Sequence, residues 1–94
     1  MITSVQDAKD LLSGWKDQSA PVLVSFTTEL SDLRFKGAVV QVNETGVWLS
    51  AGPWALWVGF ERAKFEYAEP DSGCTLRVLL HTGDKCIVRE LLRH

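Results

Sequence analysis

Histidine and cysteine are the side chains best suited to hold a metal or to act as nucleophiles, and this chain has few of them. It contains two histidines and two cysteines. They are His81, His94, Cys74 and Cys86. Structural zinc sites use ligand pairs separated by about two to four residues, and none of these residues forms such a pair. The sequence therefore predicts no metal site and no cofactor.

Nucleophilic catalysis needs a nucleophile oriented by a base, with the base oriented by a third group. No segment of the sequence supplies that context. The acidic pairs Asp71 with Asp84 and Glu66 with Glu69 fall in predicted turns or on strand faces that water reaches. Carboxylates in such places mostly solvate the surface. We therefore expect a protein that is not an enzyme.

The tryptophans are more informative. Trp48 and Trp57 each lie between two aliphatic residues of a predicted strand, so both indoles point outward if the aliphatic side chains point inward. With Trp54 they would form an exposed aromatic surface, which is typical of an interface or a ligand groove. The alternative is that these rings cover the N-terminal helix and join Trp15 in a second small core.

Basic residues alternate along one predicted strand as Arg34 and Lys36, and Arg62 with Lys64 follow on a later one. Cations beside aromatic rings are the minimum that a single-strand nucleic-acid platform requires. The alternative is a solvated strand face whose positive charge is neutralised by nearby carboxylates. The carboxylates available for this are Glu44, Glu61 and Glu66.

Composition describes a small folded chain near neutral charge. The chain has 94 residues, a net charge of −2 and 46% hydrophobic residues. We expect one compact domain over residues 1–94. A slightly acidic chain lacks the basic footprint that non-specific binding to nucleic acid or to anionic membranes requires. No signal-peptide pattern begins the sequence and the longest uncharged stretch, 45–60, is too short to span a membrane, so we expect a cytoplasmic protein.

The N-terminal segment predicts one helix over residues 4–17. Its apolar residues recur at spacings of three and four, at Val5, Ala8, Leu12 and Trp15, so one stripe should face the core. Thr3 with Gln6 fits a capping box, and Ser4 with Asp7 fits a weaker version one residue later.

The rest of the chain changes to the two-residue period of strands. Five to seven short strands are expected between residues 21 and 91, with a sharp bend at Gly37 and a bulge or corner near Glu61 and Arg62. The expected register of the last hairpin places Cys86 opposite Leu79 or Leu80, so no disulfide follows. The predicted fold is mainly β with one N-terminal α-helix: a small, strongly bent antiparallel sheet or barrel.

One part of this pattern resembles the Sm-like family. The first sequence motif of that family has a glycine, then apolar residues two and five positions later, then an acid or amide. Gly37, Val39, Val42 and Asn43 occupy those places. The resemblance implies an Sm-like or SH3-like fold, a bent five-stranded barrel whose edge strands pair between subunits. It also implies single-stranded RNA binding, which some members of the family perform.

Our leading hypothesis is a non-enzymatic binding or assembly module that forms a homo-oligomer through strand edges and through Trp48, Trp54 and Trp57. A protein or small-ligand partner is not identified by the sequence. The alternative hypothesis is single-stranded RNA binding by the region of Arg34, Lys36 and Asn43.

Overall fold

The computed structural model describes residues 2–68 and 74–91, and within them the protein is mainly β with one helix. The elements in chain order are β1 (Ile2–Thr3), α1 (Val5–Asp17), β2 (Pro21–Thr27), β3 (Asp32–Val42), β4 (Gly46–Ala51), β5 (Trp54–Gly59), β6 (Lys64–Ala68), β7 (Thr75–Leu79) and β8 (Lys85–Glu90). The predicted fold class, a small antiparallel β-sheet domain with an N-terminal helix, is confirmed. Seven of the strands have five or more residues, whereas the Sm-like resemblance implies five.

Helix α1 is N-capped by Ser4, not by Thr3. The Ser4 hydroxyl accepts a hydrogen bond from the backbone N–H of Asp7 at 3.1 Å, which satisfies one of the free donors of the first turn. Thr3 belongs instead to β1, where it pairs with Phe65 of β6. The preference for a Thr3 capping box was therefore wrong, because Thr3 has a long-range strand partner that local sequence does not reveal.

All the strands form one antiparallel sheet in the order β1-β6-β7-β8-β2-β3-β4-β5. In that order β5 and β6 are six strand spacings apart, about 29 Å if the sheet were flat. The connection from Gly59 to Lys64 spans at most about 18 Å, and the rings of Phe60 and Phe65 lie 5.3 Å apart. The sheet must therefore curl strongly. It stays open, because in the described residues β5 is hydrogen-bonded to neither β6 nor the other edge strand, β1.

The corner between β5 and β6 lies where the sequence predicted a break in the strand pattern. The backbone N–H of Ala63 donates to the carbonyl oxygen of Phe60 at 3.0 Å. Arg62 adopts a positive φ of 56°, which is uncommon for a residue with a side chain. This tight turn brings the two edge regions of the curled sheet together.

The core fills the inside of the curled sheet, and α1 lies against β3 and β6 across its opening. Alternate strand residues are buried, which matches the two-residue period read from the sequence. The fully buried side chains include Leu12 of α1 and one face of the strands: Val22, Val24, Val47, Leu49, Val58, Leu76, Val78, Cys86 and Val88. We call the opposite face of the sheet the outer face.

Strand β3 joins two parts of the sheet. Its residues 32–38 pair with β2, and its residues 38–42 pair with β4. A register shift falls between Val39 and Gln41. Gly37 lies next to the change of partner, and a Cβ built there would be 1.8 Å from the carbonyl oxygen of Ser50. The glycine is therefore required by a close backbone approach.

The last hairpin differs from its predicted register. Cys86 lies opposite Val78 rather than Leu79 or Leu80, because the tight turn begins one residue earlier: the N–H of Gly83 donates to the carbonyl of Leu80 at 2.9 Å. No disulfide joins Cys74 and Cys86, as the sequence predicted. Within the described residues, α1 is too short and too polar to cross a membrane.

Two glycine-to-alanine variants should change stability in opposite directions. Gly37→Ala should lower the free energy of unfolding by about 1–3 kcal/mol or more, because its methyl group collides with the Ser50 carbonyl. Gly14→Ala should raise it by about 0.5–1 kcal/mol, because Gly14 lies within α1 with nothing within 4 Å of the added Cβ. Urea unfolding of both variants measures this; equal effects would contradict the close approach at Gly37.

Candidate interaction surfaces

Two of the predicted interface tryptophans form a pair on the outer face. Trp48 of β4 lies directly opposite Trp57 of β5, with ring centroids 5.1 Å apart and ring planes tilted by 48°. The two side chains are 39% and 37% exposed. They face outward because their neighbours Val47, Leu49 and Val58 fill the core. This Trp48–Trp57 pair is a ready-made apolar contact surface.

Gly46 makes room for the Trp57 ring. A Cβ at Gly46 would lie 2.6 Å from Cζ2 of Trp57 and 2.3 Å from the carbonyl oxygen of Val58. The Asn43–Gly46 turn that precedes β4 therefore fixes where the indole rests. This positioning role comes from close packing, because Gly46 has no positive φ.

Trp54 does not join the Trp48–Trp57 pair. It is 42% exposed, but it lies on the core-side face of β5, with the parity of Val58, and its ring meets Phe35 at 4.7 Å edge to face. Trp15 is also separate: it is buried in the core, and its indole N–H donates to Glu90 Oε2 at 2.6 Å. The single surface expected from three tryptophans is therefore divided between two faces of the sheet.

Strand β5 is an edge strand, since it is hydrogen-bonded only to β4 within the described sheet. The N–H of Phe60 donates to the carbonyl of Thr45 on the β4 side at 2.9 Å. Because backbone groups alternate in direction along an antiparallel pair, those of Ala55, Trp57 and Gly59 point away from β4. The strand contains no charged residue. Within the described part of the chain, β5 therefore presents backbone groups without a strand partner on an apolar segment.

A shallow depression adjoins this edge strand. It has a volume of about 470 Å³ and is lined in part by Val5, Trp57 and Gly59. Glu44 and Glu61 also line it, which places these two carboxylates in turns at the β5 side of the molecule. They are therefore not part of the strand face that carries Arg34 and Lys36.

The three residues of the RNA-binding hypothesis do not form one site. Arg34 and Lys36 are exposed on the outer face of β3. Asn43 lies past the end of β3, and its Oδ1 accepts hydrogen bonds from the Thr45 N–H at 3.0 Å, the Thr45 hydroxyl at 2.8 Å and the Gly46 N–H at 3.1 Å. Asn43 is thereby engaged in holding the turn, as an Asx turn does.

The strand order adds further cations that sequence reasoning missed. Strands β6, β7, β8, β2 and β3 are neighbours, and their ladder positions on the outer face are strongly basic. The basic members are Lys64, Arg77, Lys85, Arg89, Arg34 and Lys36. The acidic members are Glu66 and Asp32. The outer face of these five strands therefore carries a net charge of +4 on a chain whose total is −2.

Few of these cations are neutralised by ion pairs. In residues 2–68 and 74–91 the one salt bridge is between Arg34 Nε and Asp32 Oδ2, at 3.4 Å. Its side chains are 72% and 47% exposed, and exposed ion pairs of this kind are weak. The Nε atom of Arg89 is shielded from water and has no hydrogen-bond partner in the same residues.

Thiol and metal chemistry find no support in the described residues. Burial raises the pKa of the Cys86 thiol to about 12, so at neutral pH it stays protonated and is a poor nucleophile. The described parts of the chain bring together no group of three His, Cys, Asp or Glu side chains able to hold a metal ion.

Comparison with known proteins found no family model, no curated protein and no solved structure that matches this chain.

A double-mutant cycle should detect the Trp48–Trp57 contact. Replacing Trp48 and Trp57 by alanine, singly and together, should give a coupling energy of about 0.5–1.5 kcal/mol in urea unfolding. The same cycle on Trp48 and Trp54 is the matched control, and it should be additive to within about 0.5 kcal/mol because their side chains lie on opposite faces. Equal coupling in both cycles would contradict the division of the tryptophans.

Proposed function

We propose that this protein is a small non-enzymatic assembly module of the cytoplasm that self-associates through the free edge of β5 and the Trp48–Trp57 pair. The observation that carries the proposal is the composition of β5. It is an edge strand of six residues without a charge. Proteins that stay monomeric usually protect such an edge with lysine, proline or a covering segment.

The opposite end of the sheet is less suited to strand pairing. Strand β1 already pairs with β6 at Glu66 and Phe65, so part of that edge is occupied. Lys64 and Glu66 also place charges on β6. Among residues 2–68 and 74–91, β5 has neither a second strand partner nor a charge of its own. A second copy of the chain is the partner that always has the same edge available.

The Trp48–Trp57 pair supports the same proposal. The pair lies beside the free backbone groups of β5, so a strand added to this edge would cover part of both indoles. Apolar burial would then add to the backbone hydrogen bonds. Pairing of edge strands between subunits is also what the Sm-like resemblance implies, and membership of that fold family is part of this proposal.

A proline at position 55 should weaken the assembly without breaking the sheet. The Ala55 N–H points away from β4, so Ala55→Pro removes a donor from the free edge and none from the β4–β5 ladder. We expect size-exclusion chromatography with light scattering to show a concentration-dependent oligomer for the wild type and a shift toward monomer for this variant. Trp57→Arg should shift the assembly in the same direction.

Ala55→Ser is the matched control, because it changes the same exposed side chain and retains the N–H. It should assemble like the wild type. Circular dichroism of each variant confirms that a loss of assembly is not a loss of folding. A wild-type chain that stays monomeric at every concentration, or an Ala55→Pro oligomer as stable as the Ala55→Ser oligomer, would contradict the proposal.

A further inference from the structure

Strand β2 runs between two rows of cations on the outer face. Arg89 of β8 and Lys36 of β3 both lie opposite Leu23, one on each side. One step along, Arg34 of β3 lies opposite Ser25. Neighbouring strands are about 4.8 Å apart, so these cations border a narrow uncharged floor. We call Arg34, Lys36 and Arg89 the basic strip.

The basic strip is confined to one end of β2. At the other end Lys85 lies opposite Thr27, but Asp32 flanks the same residue from β3. Glu29 and Asp84 line a depression at this end together with Lys85. Charges of both signs therefore occur at the Thr27 end of β2, and the outer face around Leu23 and Ser25 is the region where every charged residue beside β2 is a cation.

The charges of the basic strip are available to a ligand. Lys36 and Arg89 form no salt bridge with any residue in 2–68 or 74–91, and Arg34 has only its exposed pair with Asp32. Arg89 is half-buried, and its Nε atom is shielded from water without an acceptor in the described residues, so the rest of its guanidinium group is the part that a ligand can reach. An anionic oxygen above Leu23 would meet charged donors from both sides.

We propose that the basic strip binds the sugar–phosphate backbone of single-stranded nucleic acid. The cations lie on both sides of β2, so the successive phosphates of one backbone can contact several of them, which a single small anion cannot. The Trp48–Trp57 pair lies on the same outer face, with β4 directly next to β3. Exposed indoles beside a cationic track are the combination on which single strands bind, because every base has a face that stacks on an aromatic ring.

The shape of the sheet favours a nucleic-acid strand over a lipid surface. The curled sheet makes its outer face convex, so a flat bilayer would touch only a few of the cations at once. A flexible single strand follows a curved surface and can contact all three cations and the tryptophan pair. This proposal does not depend on self-association through β5, and its Lys36→Glu test leaves both that edge and the Trp48–Trp57 pair unchanged.

Fluorescence anisotropy with a labelled oligothymidylate and an oligouridylate of about twelve nucleotides measures this binding. We expect Lys36→Glu to weaken binding at least about fivefold at low salt and to flatten the salt dependence of the affinity. Lys9→Glu, on α1 at the core side of the sheet, is the matched control because it changes the net charge equally. It should weaken binding less than about twofold, by long-range repulsion alone.

Three results would overturn the proposal. The first is a wild-type chain that binds neither oligonucleotide at low salt. The second is an equal loss of affinity in Lys36→Glu and Lys9→Glu, which would indicate a general charge effect. The third is binding to phosphatidylserine vesicles without binding to the oligonucleotides, which would assign the face to a membrane.

The stacking part of the proposal has its own matched variants. Trp48→Leu removes an indole from the outer face, whereas Trp54→Leu removes one of similar exposure from the opposite face. We expect the first to weaken oligonucleotide binding several-fold and the second to leave it unchanged. Equal affinities for both variants would contradict a role for the Trp48–Trp57 pair.

Discussion

The contact between Gly37 and the carbonyl of Ser50 is the constraint on which the rest of the structure depends. It lies where β3 passes from its β2 partner to its β4 partner, and a Cβ there would be 1.8 Å from the backbone oxygen of Ser50. Strand β3 can therefore pair with β2 along one stretch and with β4 along the next. The β4–β5 hairpin forms one part, and β2 with β6, β7 and β8 forms the other.

These two parts present different chemistry on the same outer face. The β4–β5 hairpin is uncharged between Gly46 and Gly59 and carries the Trp48–Trp57 pair. The other part carries the excess of cations, while Glu44 and Glu61 lie apart in turns. A net charge of −2 for the whole chain conceals this separation. Average charge is thus a poor guide to what a small β protein binds, because strand order decides which charges are neighbours.

Sequence periodicity predicted what depends on near neighbours. It predicted the helix, the buried faces of β4 and β5, and the corner at Arg62, because each is set by alternation or turn chemistry within a few residues. Periodicity failed where a partner distant in sequence determines the local structure, as for Thr3, which pairs with Phe65. The last hairpin differs in register because its turn, with Gly83 at a φ of 93°, closes earlier than expected. Cys86 therefore pairs with Val78, one or two residues before the expected Leu79 or Leu80. The face of β5 on which Trp54 lies could be predicted from the sequence, because Trp54 is an even number of residues from Val58 and alternate strand residues share a face. The approach of Arg89 to Lys36 could not be predicted from the sequence, because local sequence does not show that β8 lies beside β2.

The separation of the two surfaces also determines how they can act together. A strand that adds to the β5 edge lies in the sheet, so its side chains alternate between the same two faces as those of β5. If the added strand is β5 of a second copy, the two-fold axis runs close to Trp57 and brings the two tryptophan pairs together. The basic strips then lie at the two sides of the aromatic centre, each separated from it by β4 and part of β3. A dimer formed in this way would offer one longer surface, on which a single strand held at one strip has a raised effective concentration at the other.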